Sequence, residues 1–137
     1  MKYAIRYYTQ TGNTKKLADV IAEQLNVEAK TVSENLEENV DILFLCSSVY
    51  WHGVNKNVKS FISDNVSKIG TIINVSTAAI IESTYAQIKK LAKKVNVKLS
   101  EKEFHCRGKF AALHSKHPDS DDLENLKKFI TEVTFNG

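Results

Sequence analysis

The sequence predicts a three-layer α/β/α sandwich built on a five-stranded parallel sheet, and three observations lead there. Apolar runs of strand length alternate with amphipathic helical patterns from one end of the chain to the other. Two of those runs, Asp41–Ser48 (DILFLCSS) and Gly70–Thr77 (GTIINVST), are continuous rather than alternating, as in strands covered on both faces. The length of 137 residues, with 42% hydrophobic and 26% charged, suits one domain, residues 1–137, with an ordinary core.

The elements follow in order. Lys2–Tyr8 is a first strand rich in Tyr and Ile. Leu17, Ala18, Ile21, Ala22 and Leu25 fall at helical spacing within Asn13–Asn26. Glu28–Ser33 is short and polar, which suits an edge strand. Asp41–Ser48 forms the third strand, and Val58, Phe61, Ile62 and Asn65 space out a second helix. Gly70–Thr77 is the fourth strand. After Ser83, the stripe Tyr85, Ile88, Leu91, Ala92 and Val95 marks a third helix. Glu103–Phe110 is expected as the last strand. Pro118-Asp119-Ser120 then opens a final helix with Leu123, Leu126, Ile130 and Val133 inward. Arg6, in a strand expected to be central, requires a buried partner.

Composition narrows the function. No apolar stretch approaches a membrane span, and the N-terminus has no secretory leader pattern. A net charge of +3 is too small to indicate nucleic acid. Cys46 and Cys106 form neither a C-x-x-C pair nor a disulfide framework, so a reduced cytoplasmic protein is expected. His114 and His117 form H-x-x-H with Cys106 nearby, but the segment reads as a loop leading to the last helix, and no metal is expected.

The chemistry is concentrated where the first strand meets the first helix, at Thr9-Gln10-Thr11-Gly12-Asn13-Thr14. Three hydroxyls, two amide side chains and a glycine within six residues suit capture of a phosphate dianion by neutral donors. The helix start adds main-chain N–H groups and a partial positive charge. Gly12 allows the chain to curl close to the anion. Competing α/β sites are absent: there is no acidic pair at this strand end, no Cys–Arg phosphate loop, no G-x-x-x-x-G-K-[ST] and no G-x-G-x-x-G.

The pattern T-x-T-G-N-T, at Thr9, Thr11, Gly12, Asn13 and Thr14, resembles the FMN-phosphate loop of the flavodoxin family. Length and element order are similar to a short-chain flavodoxin over essentially the entire chain. The resemblance implies strand order 2-1-3-4-5, non-covalently bound FMN, and one-electron transfer between redox partner proteins, a reductase and an electron acceptor. It implies a monomer with no catalytic residue of its own, because the flavin does the chemistry. Ser48, Val49, Tyr50, Trp51, His52 and Gly53 are similar to the second flavin loop, where Trp51 and Tyr50 would cover a ring face. This sequence departs from the family with His52 where a Gly is expected and Gly53 one place later. Whichever of the two occupies the flipping peptide sets how freely a carbonyl turns toward N5–H of the one-electron-reduced flavin. Ser76, Thr77 and Ala78 are expected at the flavin's pyrimidine edge.

Eight basic residues cluster between Lys89 and Lys109, and Glu28, Glu34, Glu37, Glu38 and Asp41 gather in another stretch. The first expectation is that both are solvated faces; the alternative is that Arg107 and Lys109, near the flavin end of the last strand, favour an anionic reduced flavin. Two other readings differ in class. One is an FMN-dependent NAD(P)H or quinone reductase, for which no nicotinamide site is evident. The other is a flavin-free binding module on the same fold.

Overall fold

A computed structural model provides the structure of the protein and describes residues 1–8, 12–49, 55–78, 84–107 and 118–135. Its elements are β1 (Tyr3–Tyr7), α1 (Asn13–Leu25), β2 (Ala29–Thr31), β3 (Val40–Val49), α2 (Lys56–Asn65), β4 (Ile69–Ala78), α3 (Tyr85–Val95), β5 (Lys98–Arg107) and α4 (Ser120–Phe135). A single 3-10 turn, Val66–Lys68, joins α2 to β4. The strands form one parallel sheet in the order β2-β1-β3-β4-β5, the expected architecture and order.

Alternation along the strands sorts side chains to two helical layers. Ile5, Phe44, Cys46, Ile73 and Val75 join Leu17, Ile21, Leu126 and Ile130 beneath α1 and α4. Leu43, Leu45 and Ile72 join Val58, Phe61, Ile62, Ile88 and Ala92 beneath α2 and α3. Since β3 is buried on both faces from Ile42 to Ser48, its apolar run could not alternate. Gln24 of α1 locks the first layer by donating to the Lys127 carbonyl (3.0 Å) and to Thr131 Oγ1 (2.7 Å) of α4.

The helix ends carry the expected local chemistry. Asn26 and Asn96, in the left-handed region at φ 55° and 64°, close α1 and α3. Asp119 and Asp122 cap α4 reciprocally, each carboxylate accepting from the other's main-chain N–H at 2.9 Å.

One strand starts earlier than predicted. β5 spans Lys98–Arg107, not Glu103–Phe110, and 108–110 lie outside the described residues. Its register against β4 jumps: Ile72 pairs with Leu99 but Asn74 with Glu103, so two steps on one strand face four on the other. This irregularity breaks the period-two pattern. The half of β5 before it, KLSEK, is polar because an edge strand needs few buried side chains. Among the described residues no helix is long and apolar enough to cross a membrane.

Gly70 is required by space. A Cβ there would lie 2.6 Å from the Asp41 carbonyl oxygen and 3.2 Å from that of Val40. Both are main-chain atoms of the neighbouring strand and cannot swing away. Gly70→Ala is expected to cost about 2 kcal/mol of overpacking, read as a lower urea midpoint at constant slope. An unchanged midpoint would show that β3 and β4 are not held at this separation.

Candidate functional site

The carboxyl ends of β1, β3 and β4 gather at one edge of the sheet, flanked by the starts of α1, α2 and α3. Of the residues expected there, Gly12, Asn13, Thr14, Ser48, Val49, Ser76, Thr77 and Ala78 are described, the strand-end residues Val49 and Ala78 by backbone alone. Thr9, Gln10, Thr11, Tyr50, Trp51, His52 and Gly53 lie outside the described residues, as do His114, His117 and Lys109.

The α1 side of this edge holds four polar side chains. Gly12 sits at the helix N-cap with φ +88°, a conformation that a Cβ would strain. Asn13 and Thr14 follow it and are buried in the first turn. Ser48 and Thr77 are register partners on β3 and β4, each two residues beyond a side chain of the α1–α4 layer, Cys46 and Val75. Thr14 Oγ1 and Thr77 Oγ1 are 3.2 Å apart. Among the described residues, Asn13 Nδ2 and Ser48 Oγ are buried without a hydrogen-bond partner, as are Asn74 Oδ1 and Gln87 Oε1.

A buried donor left without an acceptor costs about 1–3 kcal/mol, and Asn13 Nδ2 is such a donor in the first turn of α1. The electrostatics point the same way. The first turn of α1 has no acidic residue and no side-chain cap, whereas that of α4 carries Asp121 and Asp122. The positive end of the α1 dipole is therefore uncompensated by its own first turn. An acceptor-rich anion fits this donor set. Among the described residues no group of three or more His, Cys, Asp or Glu could hold a metal ion.

The other side of the edge is a buried polar knot. Thr84 Oγ1 accepts from Ser47 Oγ (3.1 Å) and from Asn74 Nδ2 (2.8 Å), and its main-chain N–H donates to Ser76 Oγ (3.3 Å). All four residues are fully buried. Ser76 thus turns its side chain to the foot of α3, while Thr77 turns the opposite way to α1. A third tie comes from Asn55, which caps α2 through Asn57 N–H (2.8 Å) and donates from Nδ2 to the Tyr8 hydroxyl (3.1 Å). Tyr8–Asn55, Thr14–Thr77 and the Thr84 knot each join the foot of one connection to the foot of another.

Sequence reasoning missed Tyr8, Asn55, Ser47, Asn74 and Thr84. Part of the signal was visible: Asn55 stands where an N-cap is favoured, and Ser47 and Asn74 interrupt apolar runs. Tyr85 is half-buried, and its hydroxyl donates to the Ser100 carbonyl of β5 at 3.1 Å, which anchors it to the edge strand. The two thiols are inert by burial, which pushes Cys46 far up and Cys106, with added effect from Asp122 and Asp119, to about 12. A cavity of about 550 Å³ opens between Thr31–Asn35 and α2, with Tyr7 and Tyr8 at the end of β1 in its wall. None of the residues expected from the sequence is among those lining it.

Comparison with known proteins adds the family. The sequence profile described as Flavodoxin domain matches residues 4–110, well over half of the chain. No curated protein sequence matches. Among solved structures, the flavodoxin of Streptococcus pneumoniae TIGR4 superposes with a TM-score of 0.68 at 15% identity, over 98% of this chain and 99% of that one. Oxidised Flavodoxin 1 from Bacillus cereus gives 0.72 at 16% identity, over 100% and 99%. The rubredoxin oxygen:oxidoreductase of Desulfovibrio gigas gives 0.74 at 12% identity, over 98% of this chain but 35% of that one. Fold, strand order and sequence profile agree, and the chain belongs to the Flavodoxin domain family.

Proposed function

We propose that the chain is an FMN-binding electron carrier serving redox partner proteins. The observation that carries this reading is the orphaned Asn13 Nδ2, buried beside the uncapped start of α1. Asn13, Thr14 and the main chain after Gly12 would hold the phosphate, with Thr9, Gln10 and Thr11 completing the loop. Ser48 offers its hydroxyl from β3, Val49–Gly53 would cover one ring face, and the main chain of Ser76–Ala78 would meet the pyrimidine edge. FMN, when bound, supplies reversible one-electron chemistry. The protein's part is to bind, to orient and to keep water out. The Thr84 knot and the Asn55–Tyr8 bond serve the second of these by fixing the loop feet.

The test is the visible absorption spectrum of the purified protein through stepwise dithionite reduction. A flavin band that bleaches and returns in air supports the reading, and a colourless protein that stays colourless with added FMN rejects it. A second reading places the same domain inside a larger oxidoreductase. The D. gigas enzyme, in which the matched part is 35% of the chain, favours it.

A further inference from the structure

We infer that the Thr77 side chain is a positioning group for the phosphate end of the site, while its main chain serves the ring edge, because its hydroxyl donates to Thr14 and so turns the Thr14 proton toward the anion. This inference rests on the FMN reading above. The two Oγ1 atoms are 3.2 Å apart across 63 residues of sequence, and Thr14 and Thr77 are 0% and 2% exposed.

A threonine hydroxyl has one proton to give and two lone pairs to receive with. In an isolated pair, either hydroxyl can be the donor. A phosphate dianion removes that freedom, because it only accepts. The Thr14 proton is available to it only when the bond between the threonines runs from Thr77 to Thr14. Thr14 then accepts and donates together, and each bond polarises the next in this dry setting.

The competing use of such a proton is visible elsewhere in the chain. Thr131 and Thr134 of α4 each donate to the carbonyl four residues back, at 3.0 and 2.7 Å. Thr14, in the first turn of α1, is paired with Thr77 instead. The Ser76 hydroxyl accepts from the Thr84 main-chain N–H, on the α3 side of the strand end. Adjacent residues of one strand end therefore serve different parts of the site: Ser76 the foot of α3, Thr77 the anion.

The experiment measures dissociation constants of FMN and riboflavin, by quenching of flavin fluorescence, for the apoprotein and for Thr77→Val, Thr77→Ser and Thr14→Val. Thr77→Val is expected to weaken FMN by about three- to tenfold and to leave riboflavin unchanged. Thr77→Ser should restore most of the loss. Thr77→Val together with Thr14→Val should lose less than the product of the single effects, and the 31P resonance of bound FMN should move in Thr77→Val but not in Thr77→Ser. Equal weakening of both flavins, or FMN affinity untouched by Thr77→Val, overturns the inference while leaving the FMN reading intact. A wild-type protein that quenches neither flavin overturns that reading, and this inference with it.

Discussion

Arg6→Ala is expected to lower the free energy of unfolding by about 3 kcal/mol, a loss comparable to truncating a core side chain. Arg6 is 5% exposed. Its Nε donates to the Glu34 carbonyl (2.9 Å), one terminal nitrogen to that of Ile5 (3.0 Å) and the other to that of Asn35 (3.2 Å). The guanidinium carbon also lies 6.0 Å from the centre of the Phe61 ring. Burial draws the guanidinium below its ordinary value, opposed by Glu34, Glu37 and Glu28. Even so, an arginine keeps its charge at any pH the fold survives, and three carbonyls satisfy it in place of a carboxylate. Truncation would strip those carbonyls of a charged donor and leave a void beside Phe61. Arg6→Lys should recover less than half of the loss, since an ammonium cannot match the fork of a guanidinium. The measurement is urea unfolding at constant slope; a loss under 1 kcal/mol, or full recovery with lysine, would contradict this account of the β2–β3 connection.

The second large effect has opposite signs in the two states of the protein. Asn13→Leu should stabilise the apoprotein by about 1 kcal/mol, because it removes a buried N–H donor that has no acceptor there. The same change should weaken FMN binding by about 30-fold, equivalent to about 2 kcal/mol of lost hydrogen bonding to a charged group. Residues kept for a ligand commonly cost stability in its absence. Thermal unfolding of the apoprotein and FMN titration of the same preparation check both halves. A destabilised apoprotein would mean that Asn13 already has a partner within the fold.

How far the sequence could be read depended on distance along the chain. The doubly covered strands β3 and β4 announced themselves, because burial on both faces leaves a continuous apolar run. Helix α1 was legible to within one residue from its apolar spacing, and it ends at Leu25 because Asn26 adopts the left-handed conformation. β5 was not, because a bulge and an exposed polar half hide its period. The partners of Arg6 are main-chain carbonyls, which no residue type advertises. The three ties that fix the loop feet join residues 63, 47 and 37 positions apart, beyond the reach of any periodicity. At the site itself, the expectation of an anion cradle at Thr9–Thr14 rests on donor count alone, and of that turn only Gly12, Asn13 and Thr14 are among the described residues. Which face each of Ser76 and Thr77 serves was not, as it follows from the pairing of β4 with its neighbours.

The central claim is that uncharged donors at the carboxyl edge of the sheet grip the phosphate of FMN. Titrating apoprotein with FMN and with riboflavin, under equal conditions and followed by flavin fluorescence, tests it most directly. The account predicts saturable one-to-one quenching by FMN and an affinity for riboflavin lower by at least about a hundredfold, the contribution of about 3 kcal/mol expected from several charge-assisted hydrogen bonds. Equal affinities for the two flavins, or no quenching by FMN at any concentration, would contradict it.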